Sequence, residues 1–137
     1  MPQVLLAVSD VGASTAFYRE VGFCEVITLA RDEIPYFVEM QHVSEPPGTV
    51  LMLLDHACWD FASTHRSDGV VLYLGVSDVD DWWSRLSSHP AVERPLQVRY
   101  YGREFVMCDP DGTRLAFFQP HADGERLPPR VSKSVQA

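Results

Sequence analysis

Three sets of side chains in this 137-residue chain are of types that do chemistry: five histidines, three cysteines, and a scatter of tyrosines, tryptophans and carboxylates. His42 and His56 fall at the ends of strand-like runs, His65 in a polar connector, His89 after a helix and His121 beyond the last strand. No two stand i, i+4 on a helix or i, i+2 on a strand, the spacings that aim two imidazoles at one ion. Surface or capping roles are the expectation for all five. Cys24, Cys58 and Cys108 are odd in number, widely spaced and without a CxxC pair, which predicts free thiols in a reducing, cytoplasmic setting. Cys24 and Cys108 lie in strand-like runs, where burial favours the inert thiol. Cys58 stands near His56, but adjacent acidic groups oppose a thiolate. No nucleophile–base pair is legible, so no catalytic residue is expected. The aromatics remain. Tyr73 and Tyr101 could stack on a planar ligand and hydrogen-bond at its rim. Trp59, in a loop with Asp55 and Asp60, could hold a cation by stacking and charge together.

The elements that must position these groups come from a unit written twice. Val8-Ser9-Asp10-Val11 returns as Val76-Ser77-Asp78-Val79, 68 positions on (76 − 8), and Phe37-Val38 returns as Phe105-Val106 at the same displacement. Gly48-Thr49-x-Leu51 meets Gly112-Thr113-x-Leu115 at 64 (112 − 48), so a loop is longer in the first half. A repeat of this length is a half-domain rather than a solenoid unit. In the first half, Gln3 to Val8, Phe23 to Ala30, Ile34 to Gln41 and Thr49 to Leu54 read as strands. Arg31-Asp32-Glu33 is the turn between the second and third. Asp10 caps a helix whose apolar face is Val11, Ser14, Phe17, Tyr18 and Val21, and Gly22 ends it.

The second half repeats the order. Val70 to Val76 is a strand, and Asp78 caps a helix carrying Val79, Trp82, Trp83 and Leu86 up to His89-Pro90. Leu96 to Tyr101 and Arg103 to Cys108 form a hairpin around Gly102, and Thr113 to Gln119 closes the unit after a turn at Asp109-Pro110-Asp111-Gly112. The expected fold is α+β: two β-α-β-β-β modules, about 3–55 and 70–119, in one domain over residues 1–120. A polar tail, 121–137, is expected to fray.

Composition narrows the function classes. A formal charge of −8 argues against a nucleic-acid partner and suits solubility or a cationic ligand. No apolar run approaches 18 residues, so no membrane partner is expected.

The paired halves, the capped Val-Ser-Asp-Val starts and the Asp-Pro-Asp-Gly turn resemble the vicinal oxygen chelate superfamily over roughly residues 3 to 120. That group includes glyoxalase I, extradiol dioxygenases, fosfomycin-modifying enzymes and bleomycin-resistance proteins. Tyr101-Gly102-Arg103-Glu104-Phe105, followed by the turn at Asp109, most resembles the bleomycin-resistance branch. The resemblance implies four strands per half curled around a cleft, helices on the outer face, and a homodimer whose clefts are assembled from two chains. It also implies where a divalent metal would sit: Gln3 and Val71 on the opening strands, Met52 and Ala116 on the closing ones. Val71 and Ala116 carry no donor, Met52 a soft thioether and Gln3 one weak carbonyl, so no metal and no cofactor are expected. Strand alternation then lines the cleft with Gln3, Leu5, Met52, Leu54, Val71, Tyr73, Ala116 and Phe118, and turns Leu115 and Phe117 under the helices. Of the neighbours Arg103 and Glu104, at most one can face the cleft.

The expected ligand-binding set is Gln3, Met52, Trp59, Val71, Tyr73, Tyr101, Ala116 and Phe118. The expected function is metal-free sequestration of a bulky aromatic or cationic, antibiotic-like small molecule. The alternatives are a metal-dependent lyase or dioxygenase with displaced ligands, and a metal-free enzyme using the cleft tyrosines or Glu39 as acid or base.

Overall fold

Asp10 and Asp78 start the two helices as the repeat requires: each aspartate side chain accepts a hydrogen bond from the backbone N–H three residues on, at 3.0 and 3.1 Å. The computed structural model describes residues 3–44, 49–58 and 70–122. The first module runs β1 (Gln3–Val8), α1 (Val11–Glu20), β2 (Phe23–Arg31), β3 (Ile34–His42) and β4 (Val50–Asp55). The second runs β5 (Val71–Gly75), α2 (Val79–Leu86), β6 (Val92–Arg99), β7 (Gly102–Cys108) and β8 (Arg114–Pro120). Each module forms a four-stranded mixed sheet of the same topology, β1-β4-β3-β2 and β5-β8-β7-β6, with one parallel pair at β1/β4 or β5/β8. The α+β class and the doubled module are as the sequence predicts.

Three local details differ from that reading. The β2–β3 turn holds two residues, not three: Asp32 and Glu33 both take positive φ (52° and 67°), while Arg31 pairs with Ile34. Such a left-handed pair matches the strand twist of a tight hairpin. Strand β6 begins at Val92, four residues before the expected Leu96. Its Pro95 is tolerated because β6 is an edge strand whose register slips between Arg94 and Gln97. The third difference concerns register. Leu53 pairs with Val38 and its counterpart Phe117 pairs with Phe105, so β3 and β7 are related by 67 positions (105 − 38), not 68. The Phe-Val match in the sequence is one residue out of step. A one-residue slip sends a side chain to the opposite face. Phe105 is in the core, whereas Phe37 shares the other face with Leu54; its structural counterpart is Glu104.

The helix-bearing sides of both sheets contribute to one hydrophobic cluster that includes Tyr18, Met40, Leu53, Trp82, Phe105 and Phe117. Phe105 and Phe117 stack with centroids 4.7 Å apart and planes 4° from parallel. His42, at the end of β3, packs on Trp82 and Phe117 of the other module, at 4.9 and 5.8 Å. Within one chain the halves therefore meet through a shared core, and each sheet turns its other face away from that core. Gly22 lies at that seam with φ +105°, and a Cβ there would stand 2.5 Å from the Trp82 ring.

The histidine and cysteine expectations need correction here. His42 is buried, at 2% exposure, because strand alternation puts it on the core side with Val38 and Met40. Its Nδ1 accepts from Ser44 N–H at 3.1 Å, so Nε2 carries the proton donated to Val21 O at 2.9 Å. Burial, with a smaller contribution from Arg85, draws the imidazole below the usual histidine range. Asp109 is the counterpart of His42 in the second module (109 − 42 = 67). It is buried too, and takes Tyr18 OH at 2.7 Å and the N–H groups of Asp111 and Thr113 at 2.9 and 2.7 Å. Burial pushes the Asp109 carboxyl and the Tyr18 phenol upward. Cys24 is exposed and Cys108 half-buried, since Cys24 lies on the edge strand β2.

Candidate functional site

On the face of the second sheet away from the core, β5 supplies Val71 and Tyr73, β7 supplies Glu104 and Val106, and β8 supplies Ala116 and Phe118. Tyr101 joins them from the β6–β7 turn. Gly102 permits that approach: a Cβ on it would meet the Gln119 carbonyl at 2.4 Å and the Phe118 ring at 2.6 Å. Phe118 packs against both phenols, its centroid 5.7 Å from Tyr73 and 5.8 Å from Tyr101.

Glu104 organises the polar part of this face. It is 6% exposed, and its Oε1 accepts from Tyr73 OH at 3.0 Å and from Tyr101 OH at 2.9 Å. The two phenol oxygens lie 3.5 Å apart. Burial, then the hydrogen bonds with Tyr73 and Glu104, push the Tyr101 phenol above the usual tyrosine range, so it remains a neutral donor. Arg99 Nε stands 3.8 Å from Glu104 Oε2, too far for a hydrogen bond, and has no hydrogen-bond partner among the described residues. Arg103 points the other way, donating through Nη2 to Asp80 Oδ1 of α2 at 2.6 Å. Glu104 is thus the neighbour that faces the cleft. The alternation argument allows at most one of the two to face it, and the structure selects Glu104.

The expected ligand residues divide between the two sheets. Val71 and Tyr73 are open on this face, at 39% and 49% exposure, with Tyr101 and Phe118 half-buried beside them. Ala116 lies on the same face between Tyr73 and Val106 but has no exposed surface, so it supports the site without offering a contact. Gln3 and Met52 are on the first module's sheet, where Met52 is flanked by Leu5 and Glu39. That face is largely apolar, with Ile27, Leu29, Phe37 and Leu54 around the carboxylate of Glu39 and with Gln3 and Gln41 on either side of Val50. Trp59 and its neighbour Asp60 lie outside the described residues.

The donor set does not fit a divalent metal at the positions where the resemblance puts one. Gln3 and Met52 offer an amide carbonyl and a thioether, Val71 and Ala116 nothing. Among the described residues, no group of three or more His, Cys, Asp or Glu side chains converges to hold an ion elsewhere. Nor is any described helix long and apolar enough to cross a membrane.

Comparison with known proteins agrees with this architecture. The fold is similar to that of TnmS3, an antibiotic binding protein from Streptomyces sp. CB03234 (24% identity, 88% of this chain and 96% of that one, TM-score 0.65). It is similar also to a bleomycin-binding protein solved with bleomycin (21%, 88% and 98%, TM-score 0.59). Lactoylglutathione lyase from Agrobacterium tumefaciens shares the fold as well (18%, 91% and 94%, TM-score 0.62). A search of curated proteins gave no significant match. The family model matches residues 1–117, which takes in both modules and every strand of the candidate site except the end of β8. With the doubled module, its register and that match in agreement, the chain belongs to the Glyoxalase/Bleomycin resistance protein/Dioxygenase superfamily.

Proposed function

We propose that the protein is a metal-free binder of a bulky aromatic or cationic small molecule, of the antibiotic-sequestering kind. The observation that carries this reading is the hydrogen-bonded Tyr73–Tyr101–Glu104 group set against Phe118 on an open concave face. A concave, largely aromatic surface with a few fixed polar groups is the usual form of a small-molecule site. The antibiotic-binding proteins that share the fold support it, and the donor-poor metal positions weigh against a metal-dependent lyase or dioxygenase. The absence of a disulfide among Cys24, Cys58 and Cys108 supports a reducing, cytoplasmic compartment.

The same reading includes a homodimer. Ile27, Leu29 and Ile34 of the first hairpin are exposed, Ile34 at 68%, and so are Val71, Tyr73, Val98 and Tyr100 of the second module. Apolar surface of this extent marks an interaction face. A second copy related by a two-fold axis would cover one sheet with the other and close two equivalent clefts.

A thermal-shift screen of the full chain against bleomycin-type glycopeptides, quinone antibiotics and polycyclic amines tests the function, because a ligand that binds the folded state raises the melting temperature. The expected result is a concentration-dependent rise with at least one class. The best stabiliser should then bind Tyr101→Ala several-fold more weakly. Unchanged binding by Tyr101→Ala and by its double variant with Tyr73→Ala would refute this site.

A further inference from the structure

We infer that the second module's concave face selects a protonated amine carried on an aromatic body, and that Glu104 sets this preference. The inference rests on the proposed binding function and adds the chemistry of its ligand. A phenol has one hydrogen to donate, and both Tyr73 and Tyr101 spend theirs on the same oxygen of Glu104. Toward the cleft the two hydroxyl oxygens can only accept. They stand 3.5 Å apart, close enough for one ammonium nitrogen to donate to both. The carboxylate behind them polarises both phenols and strengthens their lone pairs as acceptors.

The surroundings agree with a cation. Phe118 and Tyr101 supply ring surface beside the phenol oxygens. Arg99 is the cation nearest the cluster, and Glu104 at 3.8 Å offsets its charge. The formal charge of −8 draws positive molecules toward the chain. A carboxylate ligand would meet two acceptors and a buried anion. Arg99 alone would favour it.

Three probes on one ring system separate these effects: 1-naphthylmethylamine, its N,N,N-trimethyl analogue and 1-naphthylacetate. They are titrated into the full chain with ¹³C-labelled tyrosine rings, read by NMR. The amine should shift the Tyr73 and Tyr101 resonances and bind about tenfold more tightly than the carboxylate, the ratio that one charge-assisted hydrogen bond supports. It should also outbind the trimethyl analogue, which has the charge but no N–H. Glu104→Gln should shrink the amine-to-carboxylate ratio to about two- or threefold, since the phenols keep an acceptor but lose its charge. Tyr73→Phe, at an exposed position, should reduce the advantage of the amine over the trimethyl compound, since Tyr101 alone then accepts from it. A carboxylate that binds as well as the amine while shifting the same rings would overturn the inference and leave the cleft as the binding site. Probes that shift neither Tyr73 nor Tyr101 would overturn both.

Discussion

Met52 and Ala116 stand at matched positions on the closing strands, 64 residues apart, yet they belong to surfaces of opposite character. Met52 lies among Leu5, Leu54 and Glu39 on a face that also carries Ile27, Leu29, Phe37, Gln3 and Gln41. Ala116 lies beside Tyr73, with Glu104 and Tyr101 completing a hydrogen-bonded group. One residue of slip between the β3 and β7 hairpins is part of the cause, for it puts Phe37 where the second module has Glu104. The repeated backbone therefore acts as scaffold in both halves, and the Tyr73–Tyr101–Glu104 hydrogen-bonded group is built on one of them. The buried sides differ in the same manner: a neutral imidazole at His42 answers to a carboxyl at Asp109.

The largest test of that comparison is in the core. Phe117→Ala and Leu53→Ala truncate matched, fully buried side chains. Phe117 stacks on Phe105 and also touches His42 and Trp82, so its removal should cost about 3–5 kcal/mol, toward the upper end of the range for a buried aromatic. Leu53→Ala should cost less, about 2–4 kcal/mol. Equal losses in denaturant unfolding would mean that the seam between modules adds nothing to stability.

Next in size are the buried polar counterparts. Tyr18→Phe deletes the hydroxyl that joins α1 to Asp109, and should cost about 1–3 kcal/mol by leaving a buried acceptor short of a partner. His42 gives a pH signature. Its folded pKa lies below the unfolded value of about 6.5, so on acidification the unfolded chain binds the proton first. The stability contributed by the neutral ring is present above about pH 6.5 and lost as pH falls below it. The melting temperature should drop between pH 7 and 5, and His42→Phe should flatten that drop. Asp109 has the opposite sign: its raised pKa lets the folded state bind a proton first, which opposes acid unfolding at lower pH. A slope that persists in His42→Phe would place the titrating group elsewhere.

The smallest effect is expected at the first module's carboxylate. Glu39→Gln should change affinity for the best thermal-shift ligand by less than about twofold, whereas Glu104→Gln, which alters the acceptor of two phenols, should weaken it several-fold. Equal effects in a calorimetric titration would remove the distinction between the faces.

Much of this was legible in the residues. The Val-Ser-Asp-Val starts fixed both helix caps, and the alternation Leu115-Ala116-Phe117-Phe118 separated the core face from the opposite face because a strand allows two faces only. Tyr73 and Phe118 share a face as that alternation implies, and Tyr101 joins them from the β6–β7 turn. What escaped depends on relations between distant strands. The Phe-Val match at 68 was misleading since sequence similarity does not report a one-residue change in a hairpin, and only the ladder with β4 and β8 does. Glu104 as the hub of the site required knowing that Tyr73, 31 positions earlier, lies across two strands from it. His42 looked like a surface histidine because it stands at a strand end; its cover, Trp82 and Phe117, comes from the other module.

The most direct measurement is a crystal structure of the full chain with the strongest stabiliser from the thermal-shift screen. The account predicts the ligand's aromatic body against Tyr73, Tyr101 and Phe118, a donor group on the two phenol oxygens, and a second copy closing the cleft. A ligand seated instead on the Ile27–Leu29–Phe37 surface, or away from both concave faces, would contradict it.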